Sequence, residues 1–583
     1  MNNDTTIMQN SAYAHVSGEA IFVDDRPVLP NELFVDFVGS TVALGNIRKI
    51  DTSKLSALSD VVACYTAKDL SHNLFGGIIC DAPLLAEKQV TYIGMPIVVI
   101  AASDRQVLRA AKELVKIDIE ELPPILSIED AIKNNALYIP PRKIERGNVE
   151  TAFQQSQHVI EGVFQCNGQE HYYFETQTAI AYPIDGDCLE IHASTQHPSE
   201  VQHDIAAMLG IKQGQVVCVV KRIGGGFGGK ETQNAPFAQM VALVAYKTKR
   251  PARIVLDRDN DILCTGKRHP FTNHYKVGFT SEGRILAYEV DLKANGGAYA
   301  DLSTAVLERA MLHADNAYFL ENVRITGRAL RTNLAPNTAF RAFGAPKGVG
   351  TIEQAIEDIA IFLHQDPLVI RQLNLYGPSP RNITPYSQTF CNNLLPEIIA
   401  RTIELSQYQN RRSAIEHFNK NSRLHLRGIS LVPIKFGISF TNRTLNQGSA
   451  LVNVHLDGSI QVSTGAVEMG QGVNTRIAQA VAGVFSVPLA NIMLMPTSTE
   501  KNHNTSPTAA SASADLNGNA ALLAAQRIRE RLAHCAVAIF TGESGEIDLV
   551  NKVREIDTII FEGGRVFHRH HPENTLTFSE LLN

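Results

Sequence analysis

The chain has 583 residues, 44 % hydrophobic and 19 % charged, with a formal net charge of −6. This is the composition of a globular protein of more than one domain, and the lack of a long basic run argues against nucleic acid as a partner. The first residues, MNNDTTIMQNSAYAHVSGEA, have neither a positive start nor an apolar stretch, and apolar runs such as Pro96–Ala102 are too short to cross a bilayer. A cytoplasmic protein with no membrane partner is expected. The eight cysteines are scattered, so neither a disulfide framework nor a zinc or iron–sulfur ligand set is written in them. The HRHH run at 568–571 reads as a solvated loop, because no carboxylate or cysteine joins it at ligand spacing.

Up to about residue 125, short β-like runs (Val61–Tyr65, 95–101) alternate with one helical run at 106–115. Pro123, Pro124, Pro140 and Pro141 punctuate a candidate linker. Ser281-Glu282-Gly283 separates two β-like runs, and in the second Leu286, Tyr288, Val290 and Leu292 alternate to give one apolar face. Helical stripes recur at Phe237, Met240, Val241 and Val244, at Ile352, Ala355, Ile356 and Ile359, and at Ala521, Ala524, Ala525 and Ile528. Those stripes belong to the core. Pro378, Pro380 and Pro385 mark a second boundary, and Asp457-Gly458 is a hairpin turn between 452–456 and 460–462. The expected class is α+β: a small N-terminal α/β domain over 1–125, then large mixed domains over 126–385 and 386–583.

One arrangement recurs. Four loops rich in glycine or other small residues each precede a helical pattern: GGGFGGK (224–230), RAFGAPKG (341–348), MGQGVN (469–474) and TSPTAASASA (505–514). Small residues let backbone N–H groups approach a ligand, and a helix start adds partial positive charge. Several such loops together suit a large anionic cofactor; any one alone is an ordinary tight turn. The first loop also imitates a dinucleotide fingerprint, GxGxxG, with Val216–Val220 as the preceding strand and Asp257 ending the next strand-like run. It is one residue from a phosphate loop too, but Glu231 stands where a magnesium-binding hydroxyl is needed and would repel a triphosphate. An NAD-binding dehydrogenase therefore stays open as the weaker alternative.

Seven strings in order carry a resemblance: STQHPSEVQ (194–202), GGGFGGKE (224–231), ERAMLHADNAYF (308–319), TNLAPNTAFRAFGAP (332–346), KFGISFT (435–441), VEMGQG (467–472) and NTSPTAASASADLNG (504–518). Through them the chain resembles the molybdopterin-binding portion of the xanthine dehydrogenase/xanthine oxidase family. The resemblance implies a hammerhead-like N-terminal domain and a molybdenum–molybdopterin cofactor whose metal no protein side chain ligates. It implies that Gln196, Phe227 with Gly228, Arg341 and Ala510 line the metal centre, and that Gln471 and Gly472 bind the cofactor. Phe343 and Phe440 match phenylalanines that enclose a flat heterocycle. Glu231 and Arg309 match a polar pair that grips a purine, and Thr441 a further substrate contact. Negative charge builds on the ring during hydroxylation; an arginine stabilises it and a carboxylate holds or relays a ring proton. A structural ion pair between Glu231 and Arg309 is the alternative for these two.

There are departures. Ala342, Ala345 and Lys347 replace the commoner Gly, Gly and Gln, and Ala466-Val467 stand where Gly-Thr is usual. The resemblance further implies iron–sulfur clusters and FAD on partner chains, hence a hetero-oligomer when complete. The family's catalytic base is a glutamate in a Gly-Glu-Pro-Pro string. No such string occurs here, and GESGE (542–546) is the nearest sequence. The expectation is a C-terminally truncated chain, a subunit completed by another chain or a non-catalytic remnant, neither active nor well folded alone.

Overall fold

A computed structural model describes residues 8–542 and 556–583; of the GESGE string only Gly542 is among the described residues. The chain forms two compact units, each drawn from separate stretches: Met1–Pro123, His171–Gly266 and Ile438–Asn583 in one, Pro124–Glu170 and Lys267–Gly437 in the other.

The first unit holds an eight-stranded mixed sheet in the order 497–498, Val216–Val220, Cys188–Ala193, Thr178–Ile184, Ala252–Val255, Leu33–Gly39, Pro96–Ala102, Val61–Tyr65. Leu33–Gly39 pairs in parallel with Ala252–Val255, so the segment before residue 125 shares its sheet with the segment after 170. The reason is burial. Pro96–Ala102 is buried at every position, and a strand apolar on both faces needs cover that a short domain does not have. Helix Ala235–Thr248 packs on this sheet and is buried from Phe237 to Ala245, so its stripe is part of an all-round apolar surface. A second core in this unit joins the hairpin Ala450–Val454/Ile460–Thr464, helices Val473–Phe485 and Ser513–Thr541, and helix Phe578–Leu582. That last helix starts on a capping box between Thr577 and Glu580, and Phe578 packs 5.5 Å from the Phe485 ring.

The second unit is built on a five-stranded sheet: His158–Cys166, Phe271–Phe279, Ile285–Asn295, Asn322–Leu330, Arg142–Arg146. The 281–283 turn joins the central antiparallel pair, with Gly283 at φ +92° where a side chain is strained. Tyr288, Val290 and Leu292 are fully buried beneath helices Ser303–Met311 and Ala345–Leu363. The proline-rich 123–141 stretch is less irregular than expected. It contains helix Ile128–Lys133, whose N-terminus Ser127 caps. The cluster at 378–385 lies inside the second unit, which continues to Gly437. Among the described residues, all eight cysteines are free thiols, no helix is long and apolar enough to cross a membrane, and no cluster of His, Cys, Asp and Glu suits a metal ion.

Candidate active site

All four small-residue loops do feed helices: Ala235–Thr248, Ala345–Leu363, Val473–Phe485 and Ser513–Thr541. None of these starts receives a side-chain hydrogen bond from its own N-cap residue.

In the first unit Gln196 joins two of the loops. Its buried Oε1 accepts from the N–H of Gly228 at 3.0 Å, and its Nε2 donates to the Thr508 carbonyl at 2.9 Å. A Cβ on Gly226 would lie 2.5 Å from that Oε1, so glycine is what permits the approach. Thr508 Oγ1 accepts from Val467 N–H at 2.8 Å, and Ile223 N–H donates to the Glu468 carbonyl at 2.9 Å, which brings in the third loop. Ser439 N–H donates to the Ala510 carbonyl at 2.8 Å, and Asn446 brackets Phe440 with hydrogen bonds of 2.9 and 3.0 Å. Thr441 follows, exposed. Glu231 is buried at the end of the glycine loop, 6 % exposed.

Two details remove the nucleotide readings of that loop. Glu175 Oε2 accepts from both Gly224 N–H (2.8 Å) and the buried Lys230 ammonium (3.1 Å), so the lysine closes the loop internally instead of facing a phosphate. Strands Val216–Val220 and Ala252–Val255 are separated in the sheet by two others, whereas the dinucleotide fingerprint needs them adjacent and parallel. Asp257 caps helix Arg258–Cys264.

The third loop differs from expectation. The Glu468 carboxylate accepts from Gly470, Gly472 and Asn474 N–H at 2.9–3.1 Å, so this helix start already holds an anion from its own chain. Gln471 folds back onto the Val467 carbonyl at 3.0 Å.

In the second unit, Arg309 sits in the last turn of helix Ser303–Met311, 7 % exposed. Its Nη1 donates to the Gly437 carbonyl at 2.6 Å. His313, one turn on, bonds the Arg309 carbonyl through Nδ1 (2.8 Å), while its Nε2 accepts from Gly437 N–H (3.1 Å). That pattern fixes a neutral imidazole. Burial, with the positive Arg309 and Lys435 nearby, pushes His313 down to about 4. The folded protein thus refuses a proton that the unfolded chain accepts, so His313 costs stability as pH falls from about 6.5 to about 4 and no further below. Wild type minus His313→Gln, followed by urea unfolding across that window, should show a loss of stability on acidification; equal slopes in the two proteins would contradict the assignment.

Arg341 is exposed, and Arg268 Nη2 donates to its carbonyl at 3.1 Å. Ala342 and Phe343 are both left-handed, at φ +68° and +56°. So are Phe227 with Gly228 (+55°, +97°) and Ala510 with Ser511 (+55°, +54°). Three of the four loops therefore carry a left-handed pair, mostly at residues other than glycine, where each costs on the order of 1–3 kcal/mol. Such strain gathers at ligand clamps. Glu231 and Arg309 lie in different units.

Residues 128–375 and 401–582 each match a family model described as a molybdopterin cofactor-binding domain, and residues 17–123 match the a/b hammerhead domain of aldehyde oxidase and xanthine dehydrogenase. The chain belongs to the molybdenum hydroxylase family. It is 43 % identical over 528 residues to a xanthine dehydrogenase of Dictyostelium discoideum, covering 90 % of this chain and 38 % of that protein. Against the xanthine dehydrogenase/oxidase of Mus musculus it is 43 % identical over 523 residues, 90 % of this chain and 39 % of that one. It thus spans about two fifths of the length of these relatives. In fold it is similar to quinoline 2-oxidoreductase from Pseudomonas putida 86 (TM-score 0.87, 24 % identity, 99 % of this chain and 75 % of that chain). It is similar in the same way to a Cu,Mo-CO dehydrogenase (TM-score 0.87, 22 % identity, 99 % and 76 %).

For a molybdenum hydroxylase the loops fit the group. A pterin offers many acceptors, and in the first unit the left-handed pairs at 227–228 and 510–511, on the two loops that Gln196 joins, are backbone suited to them. Sequence reasoning passed over Glu468 and His313. The second stands four residues after Arg309, one helical turn, which is the signal that could have found it.

Proposed function

We propose that this chain is the molybdopterin-binding part of a cytoplasmic purine hydroxylase that oxidises hypoxanthine and xanthine to uric acid and passes electrons to iron–sulfur clusters and FAD on partner chains. The observation that carries the reading is that Glu231 and Arg309, the two residues the resemblance assigns to the purine, are each buried within their own unit. When bound, the cofactor supplies two-electron oxidation with transfer of a water-derived oxygen to an electron-poor ring carbon. On this reading Gln196, Phe227, Gly228, Arg341 and Ala510 hold the cofactor, with Gln471 and Gly472 shaping the third loop around Glu468. Phe343 and Phe440 enclose the purine, and Thr441 contacts it. Arg309 faces charge that develops on the ring, while Glu231 holds a ring proton. The 583 residues contain no Gly-Glu-Pro-Pro string, and this reading assigns the proton acceptor for turnover to none of the residues named above.

The test is cofactor content and turnover of the protein purified with its partners, the Gly-Glu-Pro-Pro segment included. About one molybdenum and one pterin per chain, with xanthine turnover, is the expected result. Bound NAD without pterin overturns the cofactor assignment. Pterin without purine turnover overturns the substrate and favours the non-catalytic remnant.

A further inference from the structure

Lys347 stands in the first turn of helix Ala345–Leu363, four residues after Phe343. It is 1 % exposed. Its Nζ donates to the Phe343 carbonyl at 3.1 Å and lies 5.7 Å from the centre of the Phe271 ring. Among the described residues no carboxylate pairs with it. A cation here is unfavourable three times over: it is desolvated, it is close to Arg268, and it sits at the positive end of a helix. What it holds is a strained turn. Phe343 N–H bonds the Phe340 carbonyl at 2.6 Å, Arg268 holds the carbonyl of Arg341 and Lys347 that of Phe343, with the left-handed Ala342 and Phe343 between.

We propose that Lys347 is a positioning residue: its Nζ, through the Phe343 carbonyl, fixes the turn that aims the Phe343 ring and so sets the affinity for the heterocyclic substrate. The proposal rests on the reading above that Phe343 faces the substrate. The hold does not need the charge, because a neutral amine still donates. Burial and Arg268 push Lys347 down to about 7; Cys166 acts weakly in the opposite direction, and the neighbouring His269 is itself kept neutral by burial and by Lys347. Between about 7 and the ordinary lysine range near 10.5 the unfolded chain binds a proton that the folded one lacks. Lys347 therefore makes stability rise with pH across that window and lowers it by a constant amount beneath.

The experiment compares Lys347→Met and Lys347→Gln in the assembled holoenzyme. For the methionine variant we expect a thermal midpoint at pH 7 above wild type, the gain shrinking toward pH 10. We expect amide exchange of residues 340–347 about tenfold faster, and KM for xanthine raised about fivefold with kcat within about twofold. The glutamine variant, which keeps a donor, should recover exchange protection and KM. A variant that loses stability and activity together, with exchange at 340–347 unchanged, overturns the positioning role in favour of simple packing. Exchange is read without substrate, so faster exchange with an unchanged KM leaves the hold on the turn standing and overturns the placement of Phe343 at the substrate.

Discussion

Glu231→Ala and Arg309→Ala should each lower kcat/KM for xanthine by about 10²–10³-fold in the assembled enzyme, a loss on the order of 2.7–4 kcal/mol of transition-state stabilisation. Both side chains are buried, so an interaction with a charged ring is not diluted by water. Burial also presses the Arg309 guanidinium below its ordinary range, which means the site gains by placing negative charge beside it. The Arg309 guanidinium is already tied to the Gly437 carbonyl and its backbone carbonyl to His313, so the side chain is held in place before charge appears. If both residues grip one substrate, the double variant falls short of the sum of the singles. A purely structural ion pair gives the opposite signature: a lower thermal midpoint in each single variant, with purine turnover normal in whatever protein remains folded. That result would withdraw the purine assignment.

Gly344→Ala should be the most damaging small substitution in the second unit. An ideal Cβ at Gly344 lies 1.9 Å from the Val306 carbonyl oxygen and 2.6 Å from Ala310 N, and one at Gly348 lies 2.2 Å from the Ala310 carbonyl oxygen. These are backbone atoms of helix Ser303–Met311 and cannot rotate aside. The φ of Gly344 is an ordinary −85°, so the penalty is steric and not conformational. Two glycines four apart let helix Ala345–Leu363 lie against the helix that carries Arg309; one methyl group forces them apart. Overpacking of this kind costs about 1–3 kcal/mol or more, and here it also moves Arg309 and Phe343 relative to each other. We expect a lower thermal midpoint together with a raised KM. A Gly344→Ala protein with wild-type midpoint and KM would show that the helices slide apart freely.

Local chemistry was readable from the residues. Asp457-Gly458 and Ser281-Glu282-Gly283 place their hairpins, and the apolar stripes at 237–244, 352–359 and 521–528 all fall on helices. The loop–helix arrangement held four times. What the residues did not disclose is mostly non-local or hidden behind ordinary side chains. Nothing in Leu33–Gly39 announces Ala252–Val255 as its parallel neighbour, because pairing across more than two hundred residues leaves no trace in local period. The left-handed pairs escaped notice because glycine was the signal sought, whereas Phe227, Ala342, Phe343, Ala510 and Ser511 adopt that conformation without it. The MGQG string looked open to a ligand because the carboxylate that fills it, Glu468, is only the residue before. Lys347 was visible as a departure from the family pattern, but its hold on Phe343 appears only once the helix is in place.

The interleaving of the two units has a consequence for synthesis on the ribosome. The second unit is complete when residue 437 has been made, but the large sheet of the first still lacks the edge pair between Val219 and Ser498. At about 5–20 residues per second, the strand at 216–220 waits roughly 15–60 s after its own translation before that partner exists. During that interval a run of Val-Val-Cys-Val-Val presents an unpaired edge. A nascent chain stalled after residue 437 has left the ribosome but before residue 497 is made should accordingly recruit holding chaperones to the first unit while the second already resists protease.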